Sequence, residues 1–349
     1  MNSRKEFYPD FYRNFKCAAS RCPDTCCKDW DVVVDDEAYA FYSNVSGEFG
    51  DKLLNSIKID EDGDRVFIFK NKHCPFLNRM RLCDIQIKLG EEHVCDTCRE
   101  FPRISQDYTE FTEYMLSLAC PEACRMIIAG DDIFDFSHIT QIENDDNGYS
   151  KTFMNFLLKA RGLTVKILSD NTKSFRYRLK HCIAFTEYVQ MLIDDEIFDE
   201  DKICEYEYRD INVEKVNRRF VFDMHKDLDI MDNNWIEGVY AAKDCILNDT
   251  YETDREYTNM ALYYIYRYYL NAIDNYDIIT IAKRIYCAYI VCSSMTVALG
   301  AENEFDKRVM IIQKYSKEIE HSFENTEFFT VEFIDNTNFS SENIIIAIQ

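Results

Sequence analysis

Apolar residues recur at intervals of three and four through the second half of the chain, in MNFLLKARGLTVKIL (154–168), FRYRLKHCIAFTEYVQMLI (175–193) and again near 234–248. This spacing predicts amphipathic helices packed as a bundle. The stretch NMALYYIYRYYLNAI (259–273) is apolar almost all round and is expected to be the central helix, its tyrosines forming an aromatic core rather than a peptide groove. Earlier in the chain the pattern is shorter and more mixed. Asp35 and Asp36 are placed to cap a helix over 38–55, and SIKIDEDGDRVFIFK alternates about Asp62-Gly63, which predicts a β-hairpin. Pro121 suits the first position of a helix closing at Gly130, with Glu122 in its positive first turn and Cys120 just outside, pointing back along the chain. The expected fold is mainly α: an N-terminal cysteine-rich domain with short β elements (1–135), a polar, acidic connection (136–149), a bundle of six or so helices (150–335) and a C-terminal tail (336–349).

Composition and charge narrow the function. At 349 residues, 47% of them hydrophobic and 14% aromatic, the chain can bury a large core or two. A net charge of -23 suits neither nucleic acid nor an anionic membrane, both of which reward Lys/Arg clusters; a cationic, lysine-bearing partner suits it better. The excess is uneven. Residues 1–130 carry 17 Lys/Arg against 23 Asp/Glu and residues 131–349 carry 23 against 40, so the cysteine-rich part is the less acidic. The start of the chain has no apolar stretch of signal-peptide length, and the longest apolar run (286–301) is short and broken by Ser293, Ser294 and Thr296, so a cytoplasmic protein is expected.

The strongest chemical signal is in the cysteines. Ten of the fifteen lie at or before Cys124, and four fall within CAASRCPDTCC (Cys17, Cys22, Cys26, Cys27). Core cysteines come singly and at helix or strand spacing, so shared ligation of a metal or cluster is the better reading of this density. A reducing compartment disfavours a disulfide framework. The later five (Cys182, Cys204, Cys245, Cys287, Cys292) sit singly on apolar helical patterns and are expected to be buried thiols. Structural zinc prefers two CxxC knuckles, and only Cys95-Asp-Thr-Cys98 has that form; iron-sulfur clusters accept less regular spacing from several loops. No dinucleotide loop, P-loop, GxSxG or HExxH is present, and the cysteines do not follow the radical-SAM spacing.

The order C-x4-C-x3-CC-x2-W, then CPFL, LCDIQ, TCREFPR and LACPEACR, resembles the flagellin lysine-N-methylase family and its cysteine-rich metal-chelating domain. The likeness continues through the aromatic helix containing Arg267 and through KEIEHSFEN around His321. The resemblance implies methyl transfer from S-adenosylmethionine to lysine side chains of flagellin or another lysine-bearing protein, with a [4Fe-4S] cluster, or zinc as the alternative. It marks Cys17, Cys22, Cys26, Cys27, Cys74, Cys83, Cys98 and Cys120 as family cysteines, with Cys95 and Cys124 as extras. Eight thiolates exceed the four one cluster needs, and the adjacent Cys26 and Cys27 are expected to diverge toward different centres.

Lysine methylation needs a neutral amine, which makes His321 a candidate base. Arg103 and Arg125 are candidates for the carboxylate of S-adenosylmethionine, and Trp30 for stacking on its sulfonium. The rival reading is a non-catalytic zinc- or iron-binding or electron-transfer module whose acidic helical part docks a partner. Elemental analysis for iron, sulfide and zinc separates the two.

Overall fold

The computed structural model describes residues 5–108, 110–131, 134–136, 138–139, 141–142, 149–209, 218–245 and 251–348. Most of the expected connection, 137, 140 and 143–148, lies outside them, as do 246–248 of the helix expected near 234–248. The fold is mainly α. Among the described residues, no helix is long and apolar enough to cross a membrane.

Two hydrophobic clusters organise the chain. The smaller is built within residues 32–95, from Val32, Val34, Ala38, Tyr42, Leu53, Phe67, Phe76, Ile85, Val94 and Cys95. Asp35 caps the helix Asp36–Tyr42, its Oδ1 accepting the Ala38 N–H at 2.9 Å, but the single helix expected over 38–55 is two, Asp36–Tyr42 and Glu48–Asn55. The break has a steric cause. Gly47 takes a φ of +83° before the second helix, and a Cβ on Gly50 would meet the Val45 carbonyl oxygen at 1.8 Å, so the chain folds back where only glycine fits. The hairpin forms as expected, Ile57–Ile59 pairing antiparallel with Arg65–Phe67 around Gly63 at φ +91°.

The larger cluster takes residues from both ends of the chain, Phe11 to Ile348. A three-stranded sheet sets Phe111–Leu116 between Lys5–Phe7, parallel, and Arg103–Asp107, antiparallel. The central strand is tied to the bundle by Glu113, which is fully buried and accepts two bonds of 2.9 Å from Arg161 on the helix Lys151–Leu168. The helix Pro121–Ala129 starts on Pro121 as expected, and Asn259 donates to the Ile127, Ile128 and Gly130 carbonyls at its end. Those carbonyls lack intrahelical partners, so the bond set fixes this helix to Tyr251–Tyr268.

The innermost helix is Ile279–Ala298, buried from Thr280 to Thr296 without a break; the tyrosine-rich helix Tyr251–Tyr268 packs against it. The expected centre at 259–273 is therefore displaced by one helix. The reason lies in the polar residues of 279–298, which read as surface but are satisfied internally: Ser293 bonds the Tyr289 carbonyl, Thr296 that of Cys292, and Lys283 that of Phe333.

Candidate functional site

The family cysteines lie on short turns and at helix starts. Cys83 and Cys120 are the N-cap residues of Asp84–Leu89 and Pro121–Ala129, and the extra Cys95 is that of Asp96–Glu100. Their thiols fall into two neighbouring sets. Cys17, Cys22, Cys26 and Cys120 line one small cavity with Asp24, Trp30 and Phe101. Cys27 is the hub of the other: its carbonyl accepts the Cys74 N–H at 2.9 Å, and its charge adds to the rise in thiol pKa that burial produces at Cys74 and Cys83 and that Cys95 and burial produce at Cys98. The adjacent Cys26 and Cys27 thus belong to different sets, but their thiols still interact, which raises the pKa of Cys26 and lowers that of Cys27. The Cys98 thiol interacts in the same way with that of Cys95, so Cys95 stands with the second set.

Burial pushes the Cys74 and Cys120 thiols up to about 12, against the pull of backbone N–H groups in a turn after Cys74 and at the helix start after Cys120. A thiol held protonated at neutral pH must give up its proton before it can bind a metal or cluster. Among the described residues, no three His, Cys, Asp or Glu side chains are drawn together tightly enough to grip one metal ion. The donor set itself, soft sulfur from several loops with Cys17, Cys26 and Cys98 open to solvent, fits a thiolate-bound cluster. Cys124 is apart from both sets, its thiol donating to the Val309 carbonyl in the main core. Of the five later cysteines, Cys182, Cys287 and Cys292 are buried as expected; Cys204 is exposed and Cys245 half-buried, because each follows the last turn of a short helix where the apolar pattern has run out.

Beside the thiols a cleft of about 550 Å³ opens between the cysteine-rich segment and the last helices. It brings together three of the four non-cysteine candidates, Trp30, Arg103 and His321, with Cys26, Cys98, Phe101, Arg267 and Phe323. Arg125 is elsewhere, paired with Asp306 at 2.6 Å. Asp29, Asp31, Glu100, Asp229 and Glu324 make the cleft wall acidic. His321 Nε2 lies 3.1 Å from Ser117 Oγ, and the ring packs on Trp30 at 4.9 Å and Phe101 at 5.7 Å. Burial drives its pKa down to about 4, helped by the Arg267 charge, so His321 is neutral at pH 7. Arg103 lies over the Phe15 ring, and among the described residues it has no carboxylate partner. Trp30 is less available. Lys317 Nζ covers its ring at 5.1 Å while bonding Asp24 at 3.1 Å and Asp29 at 3.4 Å.

Three charged groups on the helix Phe305–Glu320 brace the cleft residues. Glu320 accepts from Arg267 at 2.7 Å, Tyr263 at 2.9 Å and Tyr268 at 2.6 Å, and Lys317 makes the clamp just described. The signal was present in KEIEH, where charged residues occupy every side of a helix in a bundle, so some must be buried and paired. Glu318 is the third such group: it accepts the Met231 and Asp232 N–H at 2.8 Å each, and burial raises its pKa to about 7.

Comparison with known proteins follows this geometry. The chain is 31% identical over 153 residues to the lysine-N-methylases of Salmonella choleraesuis and Salmonella typhimurium, a match covering 40% of this chain and 36% of each of theirs. It therefore spans about a third of the length of those relatives. It is also 31% identical over 136 residues to the flagellar biosynthetic protein FliU of Salmonella muenchen, covering 36% of this chain and 77% of that protein. No family model and no solved structure matches. The likeness to FliU over most of that protein's length, with the same name-bearing relatives matched in turn, places this chain in the lysine-N-methylase family.

Proposed function

We propose that this chain is a protein-lysine N-methyltransferase that takes its methyl group from S-adenosylmethionine, acts on flagellin or another lysine-bearing protein, and works in a reducing, cytoplasmic setting with its thiolates loaded. The observation that carries the reading is the cleft: acidic and aromatic walls, an arginine without a carboxylate partner and a neutral imidazole, all beside the cysteines. Arg103 supplies a bidentate partner for the carboxylate of the methyl donor. Phe101 and the open edge of Trp30 face the sulfonium, and the carboxylates favour both that cation and the approaching lysine. In the transfer the lysine Nζ lone pair forms the N–C bond as the C–S bond breaks. The sulfur pair leaves with the neutral thioether, and the positive charge passes to nitrogen. The amine must first lose a proton. That proton passes to solvent through the open cleft, and the neutral His321 imidazole on the cleft wall accepts a hydrogen bond from the resulting amine.

Cys17, Cys22, Cys26 and Cys120 would hold a [4Fe-4S] cluster, which supplies a one-electron couple and a cross-link between loops. Incubating anaerobically purified, iron-replete protein with methyl-labelled S-adenosylmethionine and flagellin should place label on flagellin lysines. No transfer to flagellin or to any other lysine-rich protein, with zinc in place of iron and acid-labile sulfide, would leave the non-catalytic reading standing instead.

A further inference from the structure

Phe323 and Ile334 are the two most exposed large apolar side chains among the described residues, at 77% and 75%, and both stand on the helix Phe323–Asp335. Eleven residues apart, they complete about three helical turns and point the same way, about 16 Å from each other. Val331, 49% exposed, lies beside them, with the carboxylates of Glu324, Glu327 and Asp335 in or along the same stripe. The opposite side of the helix is already used: Phe329 and Phe333 are buried, and Asn325 bonds the Asp229 and Glu318 carbonyls at 2.8 Å. This element therefore presents a second apolar face that the fold does not cover. The ridge is continuous with the cleft, because Phe323 and Glu324 at its first turn also line the cleft wall.

We propose that this ridge is the docking surface for the protein substrate, seating an apolar patch that neighbours the target lysine. The inference rests on the methyltransferase reading and gives that substrate a stated chemistry. Three apolar side chains in line accept apolar side chains of the partner, and carboxylates among them favour lysines and reject acidic proteins. Placement at the cleft mouth means that a partner held on the ridge presents a lysine within reach of His321, which raises the effective concentration of the amine at the cleft. Scattered exposed apolar residues are ordinary on a protein surface; an aligned row beginning at a cleft is not.

The test is binding of labelled flagellin to the full-length protein, measured without a methyl donor. Replacing both Val331 and Ile334 with Ser removes apolar contact at two exposed positions outside the cleft, so thermal stability serves as the folding control. The double variant is expected to bind flagellin at least tenfold more weakly, and Glu327→Lys likewise. In methylation assays the double variant should show a correspondingly raised KM for flagellin, with kcat/KM for a short lysine peptide unchanged. Flagellin affinity within twofold of wild type in the double variant overturns the docking surface, as does failure of the wild type to bind flagellin. Methylation of the short peptide in either case leaves the enzymatic reading in place. Weakened binding without any methyl transfer by the wild type removes the enzymatic reading and keeps the surface.

Discussion

His321 sits on the cleft wall as an uncharged imidazole, and its depressed pKa fixes what it can contribute. With a value near 4 it does not change charge across neutral pH, so the rise of kcat/KM with pH should follow proton loss from the substrate lysine. His321→Gln is expected to lower kcat by about 100-fold, the low end for a group that assists proton removal, while leaving the acid limb where it was. A limb that shifts with the substitution would make His321 the titrating base. The same shift has a stability sign. Between about 4 and the ordinary 6.5 the folded state binds fewer protons than the unfolded chain, so this group's contribution is complete above 6.5 and is lost as pH falls toward 4. At this scale the sequence was informative about identity and poor about company. Trp30, Arg103 and His321 could be singled out individually, but nothing in their spacing says that they share one cleft or that Arg125 is turned away to Asp306. Long-range placement of this kind is set by packing, which periodicity does not encode.

One helix braces the cleft residues without lining the cleft itself. Along Phe305–Glu320, Gln313 and Lys317 reach Asp24 in the cysteine loop, Glu318 holds the backbone at Met231 and Asp232, and Glu320 holds Arg267. Lys317 is 5% exposed and Asp24 6%, so this pair has little water to fall back on. Lys317→Met should cost about 2 kcal/mol in unfolding free energy, because it leaves the buried Asp24 with only Lys28 and Gln313 as partners, whereas Lys202→Ala, which breaks only an exposed pair with Glu205, should leave stability unchanged. Denaturant titration of both variants checks the contrast, and equal losses would mean the clamp is solvated. Element existence was legible where a local cause decides it, as with the Asp35 cap, the Gly63 turn and Pro121 at a helix start. It failed at Ser43–Gly47, where the close approach of Gly50 to the Val45 carbonyl breaks a helix that the apolar pattern runs through, and at Ile279–Ala298, where internal bonds hide polar residues in the core.

At the scale of the molecule, the two hydrophobic clusters differ in what they can support. The larger draws on elements from both ends of the chain and holds the bundle and the sheet together. The smaller has ten buried residues for the segment 32–95, most of them aliphatic or aromatic and none in a long helix. A core of that size contributes only a few kcal/mol against the entropy of ordering some sixty residues, and small domains of this kind are usually tied by metal or disulfide. Cys74 and Cys83 pack against this very cluster and Cys95 lies within it, while Cys27 and Cys98 connect it to the cleft. If thiolate ligation is what completes it, loading and stripping the protein should change its local stability unequally. Amides of the hairpin strands Ile57–Ile59 and Arg65–Phe67 should exchange at least tenfold faster in chelator-stripped, reduced protein than in iron-loaded protein, whereas amides in the middle of Ile279–Ala298 should be unaffected. Equal protection of the hairpin in both forms would show that the small core stands without its thiolates bound, and that the density of cysteines serves the cleft alone.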